Sequence, residues 1–254
     1  MMLAIRDAEG MFIHIQAALV KAGSFNRIKV DRSTRDKLCN WKWLAGDIAT
    51  CPTSIAEVVR HPPSIWKATD AAKSGMGGMI FDLTKQAEPI VWRQPFPVDI
   101  QSYWVSDVNP REDITNPDAE LCGVIGGHGV CAQHFDVRHH SITTCCDNTP
   151  LVAWSLKGSV SWDSHAAYLL RLLALHRVFY QFISTVTHIS GDTNSMADDT
   201  IRLWNLSDKE LISHLNAKYQ QVRSWKLAAL RPRIHSALIS SLCKKISTKG
   251  LLPL

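Results

Sequence analysis

Four acidic residues stand at positions where carboxylates could do chemistry: Asp70, Glu120, Asp147 and Asp198. Asp70 and Asp147 each end a short apolar run, whereas Glu120 and Asp198 lie in the opening turns of predicted helices. Carboxylates brought together raise one another's pKa, so a cluster of them needs a compensating cation. Oxygen-only ligands suit Mg²⁺ or Mn²⁺. The pattern therefore predicts a divalent-metal site.

The elements that would position these acids follow from hydrophobic periodicity and turn residues. Residues 65–72, 78–83 and 89–95 are predicted as three consecutive strands, with the glycines before residue 78 in a turn. The later elements are a helix over 116–135, a strand over 141–147, a helix from 148, a helix over 164–181, a strand over 185–190 and a helix near 196.

This order predicts an α/β fold with a mixed five-stranded sheet, built from a three-strand meander and two parallel strands, and with helices on both faces. Ligands of open sheets bind beyond the carboxyl ends of the strands. Asp70 and Asp147 are therefore expected to face one crevice, which Glu120 and Asp198 would close.

The chain is predicted to divide at His61-Pro-Pro-Ser64, where helical periodicity stops. Residues 1–60 are expected to form a helical connecting segment, residues 61–206 the α/β domain and residues 207–254 a basic helical tail. The net charge of +5 is uneven, because residues 61–200 carry −6 and residues 201–254 carry +8. An acidic centre beside a basic end suits a metal site next to a polyanion, and a merely solvated basic tail is an equal alternative.

Composition also excludes some classes of protein. The most apolar helix candidate, residues 166–183, contains Arg171, His176 and Arg177, so it is not expected to cross a membrane. The early residues lack the apolar core of a signal peptide, which predicts an intracellular protein of the cytoplasm or nucleus, not a secreted one. The seven cysteines form no C-x-x-C pair and are expected to be reduced thiols.

The four acids lie in segments that resemble the ribonuclease H domain of retrotransposon reverse transcriptases, of the LTR or tyrosine-recombinase type. The segments are TDAAKSGMGGMIFD, ITNPDAELCGVI, TTCCDNTPLVAW and HISGDTNSMADDTIRLW. The last is the most specific, because it is similar to the family's closing motif with His188, Gly191, Asn194, Asp198 and Arg202. The resemblance covers residues 61–206, and more loosely the connection segment before them.

The resemblance implies hydrolysis of the RNA strand of RNA·DNA hybrids with two Mg²⁺ or Mn²⁺ ions. Asp70 would bridge the ions, Glu120 and Asp147 would complete one site, and Asp198 would hold the second ion. His188 would assist proton or product departure.

The same resemblance implies recognition of the hybrid through 2′-hydroxyl and phosphate groups. Asn148, Lys157 and Asn194 are the candidate nucleic-acid-binding residues. No Tyr-x-Asp-Asp polymerase motif occurs in the sequence, so a polymerase domain would be a partner from an ancestral polyprotein.

Simpler structural roles remain open for each acid. Asp198 and Asp199 both suit the start of a helix, and Asp199 could replace Asp198 as the ligand. Glu120 could be an ordinary first-turn acid and Asp147 a turn acid. Two further functions also remain: a decayed copy that only binds nucleic acid or a partner chain, and an actin-like or sugar-kinase-type phosphotransferase that uses a glycine-rich loop over residues 71–78.

Overall fold

The structure is a computed structural model. It describes residues 61–244 except 85, 86, 108, 111, 159 and 161–163, together with scattered residues between 15 and 46. The strands are β1 Ile65–Ala72, β2 Gly75–Asp82, β3 Ile90–Pro95, β4 Ser141–Cys146, β5 Ile183–His188 and β6 Lys226–Ala228. The helices are α1 Val98–Ser102, α2 Asn116–His134, α3 Thr149–Lys157, α4 His165–Tyr180, α5 Ser195–Arg202, α6 Asp208–Lys218 and α7 Pro232–Leu242. A 3₁₀ turn spans Gly191–Asn194.

The strands form one mixed sheet in the order β5-β4-β1-β2-β3-β6. β1, β2 and β3 pair antiparallel as a meander, whereas β4 runs parallel to β1 and β5 runs parallel to β4. The predicted α/β class, with a meander joined to two parallel strands, is confirmed. The sheet has one strand more than predicted.

Helices cover both faces of the sheet. On one face Trp92 of β3 lies under α2, where a Cβ at Gly126 would come within 2.8 Å of its ring. On the other face Ala197 of α5 and Leu211 of α6 pack with Ala68 and Met79 of the sheet in a second buried cluster. The sheet is thus held between two apolar layers.

The glycines after Asp70 belong to β2 and do not form the predicted glycine-rich turn. The turn is only Lys73 and Ser74, and Gly77 pairs directly with Asp70. A Cβ at Gly77 would lie 2.8 Å from the carbonyl oxygen of Trp92 and 3.0 Å from Thr200 of α5. The missing side chain therefore lets α5, which carries Asp198, pack close to the sheet.

The segment after residue 206 is more than the basic helical tail that was predicted. It contains α6 and α7, and between them β6 pairs with the edge of β3. Ile234, Leu238 and Leu242 of α7 are buried in the main core. A strand of three residues is too short for a period-of-two pattern, which is why the sequence did not reveal it.

Most of the predicted helical segment over residues 1–60 lies outside the described residues. Those of its residues that are described are helical. Nothing further tests the boundaries at residues 60 and 206, so they stay predictions. In the described part of the chain, no helix combines the length and the apolar character that a membrane crossing requires.

Candidate metal centre

Two of the predicted carboxylates come from neighbouring parallel strands at the same level. Ala68 of β1 is paired with Cys145 of β4, and Asp70 and Asp147 each follow two residues later. Asp70 is only 8 % exposed, and one of its oxygens, Oδ1, accepts a hydrogen bond of 2.7 Å from the backbone N–H of Ala71. The sheet register therefore brings the two acids to one edge, as the sequence predicted.

Glu120 completes the cluster from α2, which begins nearby. The acid that caps this helix is Asp118, whose carboxylate accepts the backbone N–H of Thr115 at 2.9 Å. Glu120 has no such capping role and is 3 % exposed. Each of Asp70, Glu120 and Asp147 contributes one carboxylate oxygen, and these three oxygen atoms lie within 4.8 Å of one another. These three predicted ligands therefore come together.

Asp198 is not among the clustered acids. It lies on α5 and forms an ion pair with Arg202, one helical turn later. Its charge still reaches the cluster, because it contributes to raising the pKa of Asp70. Asp198 thus stands at the border of the site, and its role as a ligand stays a prediction.

Asp199, the alternative to Asp198, has a structural role. Its Oδ2 accepts hydrogen bonds from Lys218 at 2.7 Å, Tyr219 at 3.0 Å and His214 at 3.3 Å. Partial burial opposes ionisation, but these bonds outweigh it and lower the pKa of Asp199. The residue ties α5 to the end of α6.

The cluster is electrostatically strained when it holds no cation. Burial, followed by the charge of Asp147, raises the pKa of Asp70 to about 7. Burial raises the pKa of Glu120 to about 8, although a hydrogen bond from Asn148 opposes the shift. A cation among these acids would stabilise their ionised forms.

The donor set fits a hard divalent cation. Within the described residues, neither Oε2 of Glu120 nor Oδ1 of Asp147 has a hydrogen-bond partner, although both atoms are buried. Buried carboxylate oxygens are costly without a partner. Oxygen donors alone, without sulfur or imidazole in the cluster, match the preference of Mg²⁺ and Mn²⁺.

The remaining candidate residues lie at different distances from the cluster. His188 is exposed at the end of β5 and is paired with Cys146, the residue before Asp147. Lys157 is exposed at the far end of α3, about 13.5 Å along the helix from Asn148. Both residues stay predictions, His188 for proton transfer and Lys157 for phosphate binding.

Asn194, the third predicted nucleic-acid-binding residue, has a buried side chain, and its binding role stays a prediction. Asn194 is 2 % exposed, and its Nδ2 donates to the carbonyl oxygen of Thr69 at 3.2 Å. It tethers the 3₁₀ turn to β1 beside Asp70.

One residue of the site was missed from the sequence. Asn116, the first residue of α2, donates its Nδ2 to Oε1 of Glu120 at 2.8 Å. Asn148 donates to the same oxygen at 3.1 Å. The signal for Asn116 was available, because side chains four residues apart on a helix are neighbours.

Comparison with known proteins adds little. No protein-family model matches the sequence, and no curated protein matches it. One solved structure with a similar fold is the RNase H1 of the halophilic archaeon Halobacterium salinarum NRC-1, which is 15 % identical. The match covers 54 % of this chain and 92 % of that one, with a TM-score of 0.36. So slight a likeness shows nothing about the activity of this chain.

Proposed function

We propose that this chain is a metal-dependent nuclease that hydrolyses the RNA strand of RNA·DNA hybrids. The observation that carries the proposal is the convergence of Asp70, Glu120 and Asp147, from three separate elements, within 4.8 Å. Buried carboxylates are rarely gathered without a cation, because each one opposes the ionisation of the others. A divalent cation held by carboxylates is suited to phosphodiester chemistry.

Asp70, Glu120 and Asp147 would hold the cation through their oxygens. When bound, a Mg²⁺ or Mn²⁺ ion supplies a polarised water and neutralises charge on a leaving oxygen. Asp198 would join the site after exchanging Arg202 for a second ion. His188, exposed at the same sheet edge, would take or deliver a proton.

RNA·DNA hybrid is the proposed substrate because of the four motif segments that resemble the retroelement family. Exposed basic residues of the C-terminal segment support a polyanionic substrate: Lys209, Arg223, Lys226, Arg231 and Arg233. Such residues would bind phosphates without reading the sequence. The origin in a retroelement, a polymerase domain as neighbour and an intracellular location belong to the same proposal.

The phosphotransferase alternative loses its main support. It required a glycine-rich loop between residues 71 and 78, but Gly75, Gly77 and Gly78 lie inside β2. Backbone N–H groups in a paired strand are engaged in the sheet and are not available to cradle a phosphate. The decayed binding module remains the second candidate, because Asp198 is ion-paired with Arg202 and stands outside the cluster.

The test is cleavage of a labelled RNA·DNA hybrid by the purified chain in Mg²⁺, beside single-stranded RNA and duplex DNA. Asp70→Asn, which keeps the shape of the side chain, is expected to lower cleavage at least about 100-fold. Asp136→Asn is the matched control, because Asp136 is exposed on a loop and bonds only locally to the N–H of Arg138.

Each result has a clear meaning. Cleavage of the hybrid that is lost in Asp70→Asn and kept in Asp136→Asn supports the proposal. Hybrid binding without Mg²⁺-dependent cleavage leaves the binding module. Equal cleavage by wild type and Asp70→Asn refutes the assigned site.

A further inference from the structure

Glu120 is held by two carboxamides from different elements. Asn116 at the start of α2 and Asn148 before α3 both donate their Nδ2 to the same atom, Oε1 of Glu120, at 2.8 and 3.1 Å. The other oxygen, Oε2, is buried and has no partner among the residues that the structure describes. The two oxygens of one carboxylate are therefore in different situations.

This difference has a simple chemical reading. A carboxylate oxygen has two lone pairs, and two N–H donors use both of them on Oε1. A cation in the cluster would then be bound through Oε2 alone. The hydrogen bonds also restrict rotation of the carboxylate, so Oε2 is aimed before any ion arrives.

Asn148 is itself held in place by its backbone role. It is the N-cap of α3, and its Oδ1 accepts the backbone N–H of Leu151 at 3.0 Å. With Oδ1 used by the helix, its Nδ2 is directed to Glu120. The cap thus links the start of α3 to the ligand. The second N–H of Nδ2 is left for other partners, so the predicted contact of Asn148 with the hybrid stays a prediction.

We propose that Asn116 and Asn148 are positioning residues that make Glu120 a one-oxygen ligand with a preset orientation. The inference rests on the proposed metal-dependent function and deepens it. Hydrogen-bond partners of metal ligands set the orientation and basicity of those ligands, and losing one typically costs about 10- to 100-fold in metal affinity.

The test is the Mg²⁺ and Mn²⁺ affinity of the purified full chain, measured by titration calorimetry without substrate. Asn116→Leu removes one donor and is expected to raise the Kd about 10-fold. Asn148→Ser keeps a good N-cap residue but is too short to reach Glu120, and it is expected to act similarly. Asn116→Gln, which retains a donor, should recover part of the affinity.

Asn216→Leu is the matched control. Asn216 accepts the backbone N–H of Trp225 at 3.0 Å, in the C-terminal segment away from the acids. Its loss is expected to lower the melting temperature without moving the metal Kd.

The outcomes separate this inference from the proposed function. If wild type binds neither ion at millimolar concentration, the metal centre and the positioning role are both refuted. If wild type binds and Asn116→Leu and Asn148→Ser bind equally well, only the positioning role is refuted. A Kd that rises in both variants and not in Asn216→Leu supports it.

Discussion

Asp198 is ion-paired with Arg202 one turn later on α5, and it stands outside the cluster that Asp70, Glu120 and Asp147 form. The negative charge of Asp198, the last acid of the motif, is thus balanced by an arginine of the same helix. An ion that recruits Asp198 must compete with this guanidinium, which is 71 % exposed.

Arg202→Gln is therefore expected to make it easier for an ion to recruit Asp198. The gain should be small, roughly two- to five-fold in Mg²⁺ affinity, because exposed ion pairs contribute at most about 1 kcal/mol. Calorimetric titration of the metal measures it. Arg138→Gln, on an exposed loop, is the control, and weaker binding in Arg202→Gln would contradict the competition.

Exchanging each of the adjacent acids on α5 should separate chemistry from stability. Asp199→Asn loses charge-assisted bonds with Lys218 and is expected to cost about 1 kcal/mol, or roughly 2–4 °C in melting temperature, with cleavage retained. Asp198→Asn is expected to lower cleavage of the hybrid with little change in melting. Thermal melts measure the change in stability, and single-turnover assays measure cleavage. If Asp199→Asn loses cleavage and Asp198→Asn loses stability instead, Asp199 is the ligand.

The stability of the metal-free protein should depend on pH through Asp70. The folded-state pKa of about 7 lies above the ordinary 3.8, so the folded state retains a proton that the unfolded state releases. Ionising Asp70 thus costs stability progressively as pH rises from about 4 to above 7.

Asp70→Asn removes that cost. In EDTA, the free energy of unfolding of Asp70→Asn is expected to exceed that of wild type. The difference should grow from pH 5 to pH 8 and be on the order of 2 kcal/mol at pH 8. Urea denaturation at several pH values measures the difference, and Mg²⁺ should reduce it by stabilising wild type alone. A difference that is constant with pH would contradict the shift.

Lys67 of β1 is fully buried and donates from Nζ to the carbonyl oxygen of Val124 at 2.6 Å. Burial lowers its pKa from 10.5 to about 7, so wild-type stability rises as pH increases from about 7 to 10.5. Lys67→Met is expected to stabilise the protein by about 1–3 kcal/mol at pH 7, and less at pH 9.5.

Urea denaturation at both pH values tests this, with Lys73→Met on the exposed turn as the control. Lower stability of Lys67→Met at both pH values would show that the Val124 hydrogen bond outweighs the cost of burying the amine.

Local pattern was enough to predict most elements. β1 was predicted with its observed bounds, and α2 and α4 within one residue at each end, because each has a clear period and Asn, Pro or Ser at its start. The element bounds were predicted wrongly where tertiary contacts determine them. β2 begins at Gly75 and not Gly78, since pairing with β1 extends a strand whose glycines make room for α5.

The site was partly predictable for the same reason. Residues that follow adjacent parallel strands must lie at one edge, so Asp70 and Asp147 could be placed together from order alone. Other features could not be predicted from the order of the elements: the burial of Asn194, the hydrogen bonds of Asp199 and the sixth strand. Each of them depends on partners far away in the sequence.

By itself, the sequence determined the class of fold and the order of the four acids along it, since the class follows from hydrophobic periodicity. That the acids bind Mg²⁺ or Mn²⁺ stays a prediction from ligand chemistry. Only the tertiary structure decided how the acids differ. It brings Asp70, Glu120 and Asp147 together and pairs Asp198 with Arg202. It also distinguishes the two oxygens of Glu120, because Oε1 accepts hydrogen bonds from two amides and Oε2 has no partner among the described residues. The physical reason is that hydrogen bonds and ion pairs depend on distances of a few ångströms, which sequence spacing does not specify.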